Sequence, residues 1–170
     1  MTKGLTATSS VITIGAAVTE TGANTFTQAA IDLQLNPLDN EVFVVQAINL
    51  DVSAPDALAG VDTQTQASFS TTSLAGLGTL NQSQVMAVSA DVIRAAGFVD
   101  GGVGFQRQSM ETPPTGLDYI GIIATNDFFL QVQGTGNAVA KSAVAKVYGY
   151  RARASAAQYA ALVQSELLSS

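Results

Sequence analysis

The chain contains no cysteine and no histidine. Without cysteine there are no disulfides, no thiolate nucleophile and no Cys-ligated zinc. Without histidine, the commonest general base near neutral pH and the commonest transition-metal ligand are both missing. Ser-His-Asp and Cys-His triads, HExxH zinc sites and a His-ligated cupin metal are thereby excluded. Catalysis would have to use carboxylates, lysine or a borrowed cofactor, so the sequence predicts no enzyme, no catalytic residue, no cofactor and no metal. Tryptophan is absent as well and aromatics make up only 6%, which leaves no aromatic-rich groove for sugars.

Charge is also scarce. Charged residues are 12% of the 170, about half the usual share, so Thr, Ser, Gln and Asn must supply the polar surface. The net charge is −6 and the pI is near 4.3. Phosphate affinity comes from Lys and Arg, so contact with nucleic acid is expected to be weak at most. The charge is uneven: residues 141–170 carry Lys141, Lys146, Arg151 and Arg153 against Glu166, a net of +3, which leaves −9 on the rest. A basic last strand meeting an acidic surface on a neighbouring copy is one reading of that asymmetry, and scatter in a small sample is the other.

Long apolar runs are missing. No stretch of about 20 apolar residues occurs, so no membrane span is predicted. Residues Met1 to Ser10 are polar with one lysine, which does not match a signal peptide. The length suits one domain that can bury roughly two-thirds of its unfolded surface.

What the sequence does contain is a series of short β-prone runs separated by turn residues, the pattern of a sandwich or barrel. The runs are Val11 to Val18, Phe26 to Leu35, Glu41 to Val52, Gln64 to Thr72, Phe105 to Met110, Tyr119 to Ala124, Phe128 to Gln133 and about Ala143 to Ala154. Residues Gln84 to Ala96 fit a strand or a helix, and the neighbouring strands favour strand. Side chains alternate along a strand. In the third run this places Val42, Val44, Ile48, Leu50 and Val52 on one face and Glu41, Phe43, Val45, Asn49 and Asp51 on the other. Tyr119 to Ala124 is apolar on both faces, as a central strand would be. Asn36-Pro37-Leu38-Asp39-Asn40 reads as a turn, and so does Thr112 to Gly116. After the last strand, Ser155 can cap a helix from Ala156 to about Leu168, with Tyr159, Leu162, Val163 and Leu167 in one stripe.

Few motifs carry chemistry. The glycine loop Gly97 to Gly104 lacks the following Lys and helix that a phosphate cradle needs, so it reads as a surface turn. Asp51, Asp56 and Asp62 surround one loop, but their spacing matches no calcium loop, and a solvated surface is the simpler reading. Arg151 and Arg153 project from the same strand face. Arginine suits bidentate contact with a carboxylate, so an intersubunit ion pair is the functional reading and a solvated edge the plain one. Phe129 falls on the polar face of its strand, beside Gln131 and Gln133, where it would serve as an interface anchor.

The stretch Tyr119-Ile-Gly-Ile-Ile-Ala-Thr-Asn-Asp-Phe-Phe-Leu-Gln-Val-Gln-Gly134, followed by Ala145-Lys-Val-Tyr-Gly-Tyr-Arg-Ala-Arg-Ala154, resembles the final strands of small virion proteins from environmental, especially marine, viral sequences. The overall pattern is similar to the single jelly-roll capsid proteins of non-tailed viruses, as architecture from Phe26 to Ala154 and as sequence over the last third. The resemblance implies an all-β, antiparallel jelly-roll β-sandwich of about eight strands with a short C-terminal α-helix. Residues 1–20 would form an N-terminal arm and first strand, 21–154 the sandwich, and 155–170 a helix packing on the sandwich or on a neighbouring subunit. It further implies a coat subunit of a virion whose partners are copies of itself and other virion proteins. The expected subunit interface comprises Phe129, Arg151, Arg153, Tyr159, Leu162 and Val163. A carbohydrate-binding or adhesion module and a filament, pilus or tail-tube subunit are the alternatives on the same sandwich.

Overall fold

The computed structural model describes residues 4–98, 102–108 and 117–168. The described chain forms β1 (Leu5–Ala7), β2 (Ile12–Thr19), β3 (Thr27–Asp32), β4 (Glu41–Val52), β5 (Thr63–Ser70), β6 (Val85–Arg94), β7 (Val103–Gln108), β8 (Gly121–Ile123), β9 (Asp127–Thr135), β10 (Ser142–Ala154) and α1 (Ala156–Leu168). The ambiguous segment at 84–96 is therefore a strand, β6. The turn at Thr112 to Gly116 and the middle of the glycine loop lie outside the described residues.

All pairings are antiparallel, and they make two five-stranded sheets. In the first, β10 is flanked on one side by β1 and β2 in line and on the other by β4, with β8 at the edge. The second runs β3-β9-β5-β6-β7. Leaving β1 and β7 aside, the strands pair as a nested series: β2 with β10, β3 with β9, β4 with β8, β5 with β6. A long hairpin ladder wrapped over itself into two sheets gives this nesting, which is the jelly roll. The molecule is thus an antiparallel β-sandwich of jelly-roll topology with a short C-terminal helix.

The core lies between the sheets. Phe43, Val45, Leu50, Phe69, Ile123, Phe128, Leu130, Val132 and Val147 are buried there. Phe69 and Phe128 stack with ring centroids 4.8 Å apart. A second, smaller cluster sits outside the first sheet, where Leu5, Val42, Val44, Ala124, Ala152 and Ala154 are covered by Tyr159, Leu162 and Val163 of α1.

Three sequence expectations need correction. Val42 and Val44 do not share a face with Ile48, Leu50 and Val52. Val45 pairs with Gly149 and Ala47 with Tyr148, so Gln46 is left over as a β-bulge. One extra residue reverses the alternation. Phe43, Val45, Ile48, Leu50 and Val52 therefore face the core, and Val42 and Val44 face the helix. A Cβ at Gly149 would run into the Val44 carbonyl and the Phe43 ring, so only glycine fits opposite the bulge.

β8 is an edge strand rather than a central one. Its residues are apolar on both faces because Ile123 enters the core while Ile122 packs in the helix-side cluster. Finally, Leu5–Ala7, assigned to an arm from the sequence, pairs with β10 of its own chain, Leu5 opposite Ala154.

Candidate functional site

Several of the chain's few ionic groups gather at its loops, where Arg94, Lys141, Arg151 and Arg153 each meet a carboxylate. At one end, β10 delivers Arg151 and Arg153 to the turn between β3 and β4. Arg151 donates through Nη2 to the Leu33 carbonyl at 2.7 Å and through Nη1 to the Gln34 carbonyl and to Glu41 Oε2, both at 3.2 Å. Glu41 Oε2 also accepts from the Asn36 backbone N–H at 2.8 Å. The Asn36 side chain caps the 3-10 turn Pro37–Asp39, accepting from Leu38 N–H at 3.1 Å and donating to Asp39 Oδ2 at 2.7 Å. Arg153 pairs with Asp39 at 3.2 Å across an exposed edge. Asn40 closes the turn in the left-handed conformation, φ 50°, which asparagine tolerates. The two arginines thus grip a turn of their own chain, and that turn holds Leu38 92% exposed.

The same end carries the other expected interface residues. Ser155 starts α1, its Oγ accepting from Gln158 N–H at 3.4 Å. Tyr159, Leu162 and Val163 are half-buried on the chain's own first sheet. The inward stripe ends on Glu166 rather than Leu167: Glu166 is buried and Leu167 stands 65% exposed. Glu166 accepts from the Ala124 and Thr125 N–H groups, both at 2.8 Å, which ties the helix end to the β8–β9 turn. Beside that tie lies a depression of about 190 Å³ lined by Thr71, Thr72, Phe129, Asp127, Glu166 and Leu167 among others. Phe129 is half-buried in its wall rather than isolated on a polar face.

The opposite end is stapled by acids. Glu20 accepts from Gly134 N–H at 2.6 Å and Lys141 N–H at 2.7 Å. Lys141, nearly buried, donates to Asp56 Oδ1 at 2.6 Å and to the Ala54 carbonyl at 3.0 Å. Asp56 also accepts from the Ala138 and Val139 N–H groups. Its carboxyl is held below the usual carboxylate range, first by the Lys141 hydrogen bond and then by those backbone donors, against some desolvation. Asp62 is held down in the same way by Ala96 and Ala95 N–H and by Arg94.

Asp56 and Asp62 are therefore loop staples and not the solvated surface expected from the sequence. They do not converge on a shared cation position either, since each is turned to its own partners. Among the described residues, no group of three or more acidic side chains is arranged to hold a metal ion. Asp91 is the exception among the acids: burial, then the nearby charge of Asp51, pushes its carboxyl up, and its Oδ1 has no partner.

A buried polar network covers the outside of the second sheet. Gln131 is fully buried. It accepts from Ser68 Oγ at 2.8 Å and donates to Ser70 Oγ at 2.7 Å and Gln28 Oε1 at 2.9 Å. Ser68 Oγ in turn accepts from Gly78 N–H, and Gln28 Oε1 from Leu74 N–H, so the β5–β6 loop is strapped over the sheet. Sequence reasoning missed Leu38, Glu166 and Gln131. Of these only Leu38 left a signal, a large apolar residue inside an otherwise polar turn.

The arrangement is a rigid jelly-roll block whose charges hold its own loops in place. No protein-family model matches the sequence, and no curated protein matches it. Among solved structures, the chain has weak fold-level similarity to the human polyomavirus 6 VP1 pentamer. The likeness has 12% identity and a TM-score of 0.40, and it covers 85% of this chain and 95% of that one. No helix among the described residues is long and apolar enough to cross a membrane.

Proposed function

We propose that this chain is a non-enzymatic coat subunit that associates with copies of itself, and with other virion proteins, in a virion shell. The observation that carries the reading is where several of its large exposed apolar side chains stand. Leu38, Phe98, Phe105, Val139 and Leu167 lie on turns, an edge strand and a helix end of a stiffened sandwich. Apolar side chains displayed on protrusions suit burial against another protein better than capture of a small molecule in a cleft. The low charge density favours self-association, because like-charge repulsion is small. Symmetry then lets a few surfaces be used repeatedly. Phe129, Arg151 and Arg153 contribute to this interface through the end of the molecule they build, and Tyr159, Leu162 and Val163 through the helix they anchor.

Negative-stain electron microscopy with light scattering on the purified protein tests the proposal. Closed particles or regular capsomer rings support it. Open fibres would replace it with a filament subunit. A monomer at all concentrations would overturn self-association and favour a binding module, to be followed by a glycan screen. Deleting residues 156–170 is a poor test of assembly, because it would also bare Val42, Val44, Ala152 and Ala154.

A further inference from the structure

We propose that Leu38 is the knob of a head-to-tail contact between copies of this chain, seated on the next copy in the depression walled by Phe129 and Leu167. The inference rests on the self-associating reading above and names its surfaces.

The knob is built for presentation. Leu38 is 92% exposed, so its side chain contributes almost nothing to its own fold. Yet its turn is one of the most heavily fastened in the molecule. Asn36, Asp39, Glu41, Arg151 and Arg153 all bond to it or to one another, and the Ala154 N–H adds a bond to the Asn40 carbonyl at 3.0 Å. Fixing an exposed leucine this firmly lowers the ordering cost of a contact, which is the property of a preorganised anchor.

The depression matches it in size, chemistry and place. Its volume of about 190 Å³ accepts one branched aliphatic side chain, and its walls include Phe129 and the exposed Leu167. Thr71 and Thr72 line it too. Asp127, half-buried in its wall, gives the depression a negative charge. Arg153, half-exposed beside Leu38 and using one donor on Asp39, brings a complementary positive charge.

Knob and depression share one end of the sandwich, linked through Asn126. Its backbone carbonyl accepts from Leu33 N–H and its Oδ1 from Leu35 N–H, and it lines the depression itself. A rotation about an axis beside this end therefore brings the knob of one copy to the depression of the next. A contact between two different surfaces of this kind closes into a ring when the rotation closes.

The test uses the full-length protein in four samples: wild type, Leu38→Asp, Leu167→Asp, and an equimolar mixture of the two variants. Sedimentation velocity reads association, and thermal melting confirms that each variant is folded. Both substitutions are at exposed positions, and Leu38→Ser serves in place of Leu38→Asp should the latter melt early. The wild type is expected to assemble, and each variant alone to associate about thirtyfold more weakly or less, the loss typical of truncating an interface anchor. The mixture pairs an intact depression with an intact knob, so it is expected to form a 1:1 dimer that grows no further. Assembly of Leu38→Asp at wild-type concentrations would overturn this inference and leave the self-associating reading standing. A mixture that stays monomeric would overturn the pairing of these two surfaces. A wild type that is monomeric throughout would overturn both.

Discussion

The two outer faces of the sandwich are closed by different means. The first sheet is covered by α1, whose Tyr159, Leu162 and Val163 pack on Val42, Val44, Ala152 and Ala154. The second is covered by the β5–β6 loop, held down through Gln131, Gln28, Ser68 and Ser70. The apolar cover tolerates a substitution in proportion to the area lost, because hydrophobic contact has no direction. The polar cover does not degrade in proportion. Each of its groups needs a partner at a particular angle, and removing one member leaves the others buried and unmatched.

That contrast is sharpest at Gln131. Gln131→Ala removes one acceptor and one donor group that serve three side chains and opens a cavity, so it should cost roughly 2–4 kcal/mol. Chemical denaturation would measure it, and hydrogen exchange should show the Gly78 and Leu74 amides losing protection first. Leu162→Ala, on the apolar cover, should cost less, roughly 1–2 kcal/mol, because the side chain is only half-buried. If the two losses came out in reverse order, the helix and not the network would be the more demanding cover.

The smaller effects depend on pH and have opposite signs. Asp56 is held below its unfolded value, so the stability it contributes is present above pH 4 or so and is lost as pH falls through its lower folded value. Asp56→Asn should therefore melt below the wild type at pH 7, with the gap closing in acid. Asp91 is held above its unfolded value, so its charged form opposes folding near neutral pH and that opposition fades as pH falls and the carboxyl protonates. Asp91→Asn should melt above the wild type at pH 7, and the gain should shrink in acid. Thermal melts of both variants between pH 3 and 7, an interval of about one unit below the carboxylate range to neutrality, would check both signs in one series.

The contrast between the covers also explains how much could be read from the sequence. The strand runs, the C-terminal helix and its Tyr159–Leu162–Val163 stripe follow from apolar periodicity, and periodicity is what a sequence displays most openly. The jelly-roll class followed from the same runs together with a resemblance. Gln131, Ser68 and Ser70 look like solvent-facing residues of a polar strand, and nothing local marks them as buried together. Glu166 was hidden behind Leu167 for the same reason: a carboxylate at the end of an amphipathic helix looks exposed until its two backbone donors are in view. Arg151 and Arg153 were recognised as a pair on one face, but their partners lie more than a hundred residues earlier in the chain, on the β3–β4 turn. Long-range pairing of this kind leaves no trace in local pattern.

The bulge at Gln46 has a consequence for how this chain can change length. Ahead of it β4 is buried on both faces, and beyond it on one, so the residue acts as a counter that resets which side faces inward. Drawing Gln46 into regular pairing would run the alternation through it and turn Ile48, Leu50 and Val52 away from the core together, whereas deleting Gln46 would remove the bulge and leave Phe43, Val45, Ile48, Leu50 and Val52 on one face. Loops elsewhere can lengthen or shorten at little cost. In β4, by contrast, the bulge and the glycine opposite it go together, so variants of this protein should change the spacing between Val45 and Ala47 only together with Gly149, and should differ in their turns long before that.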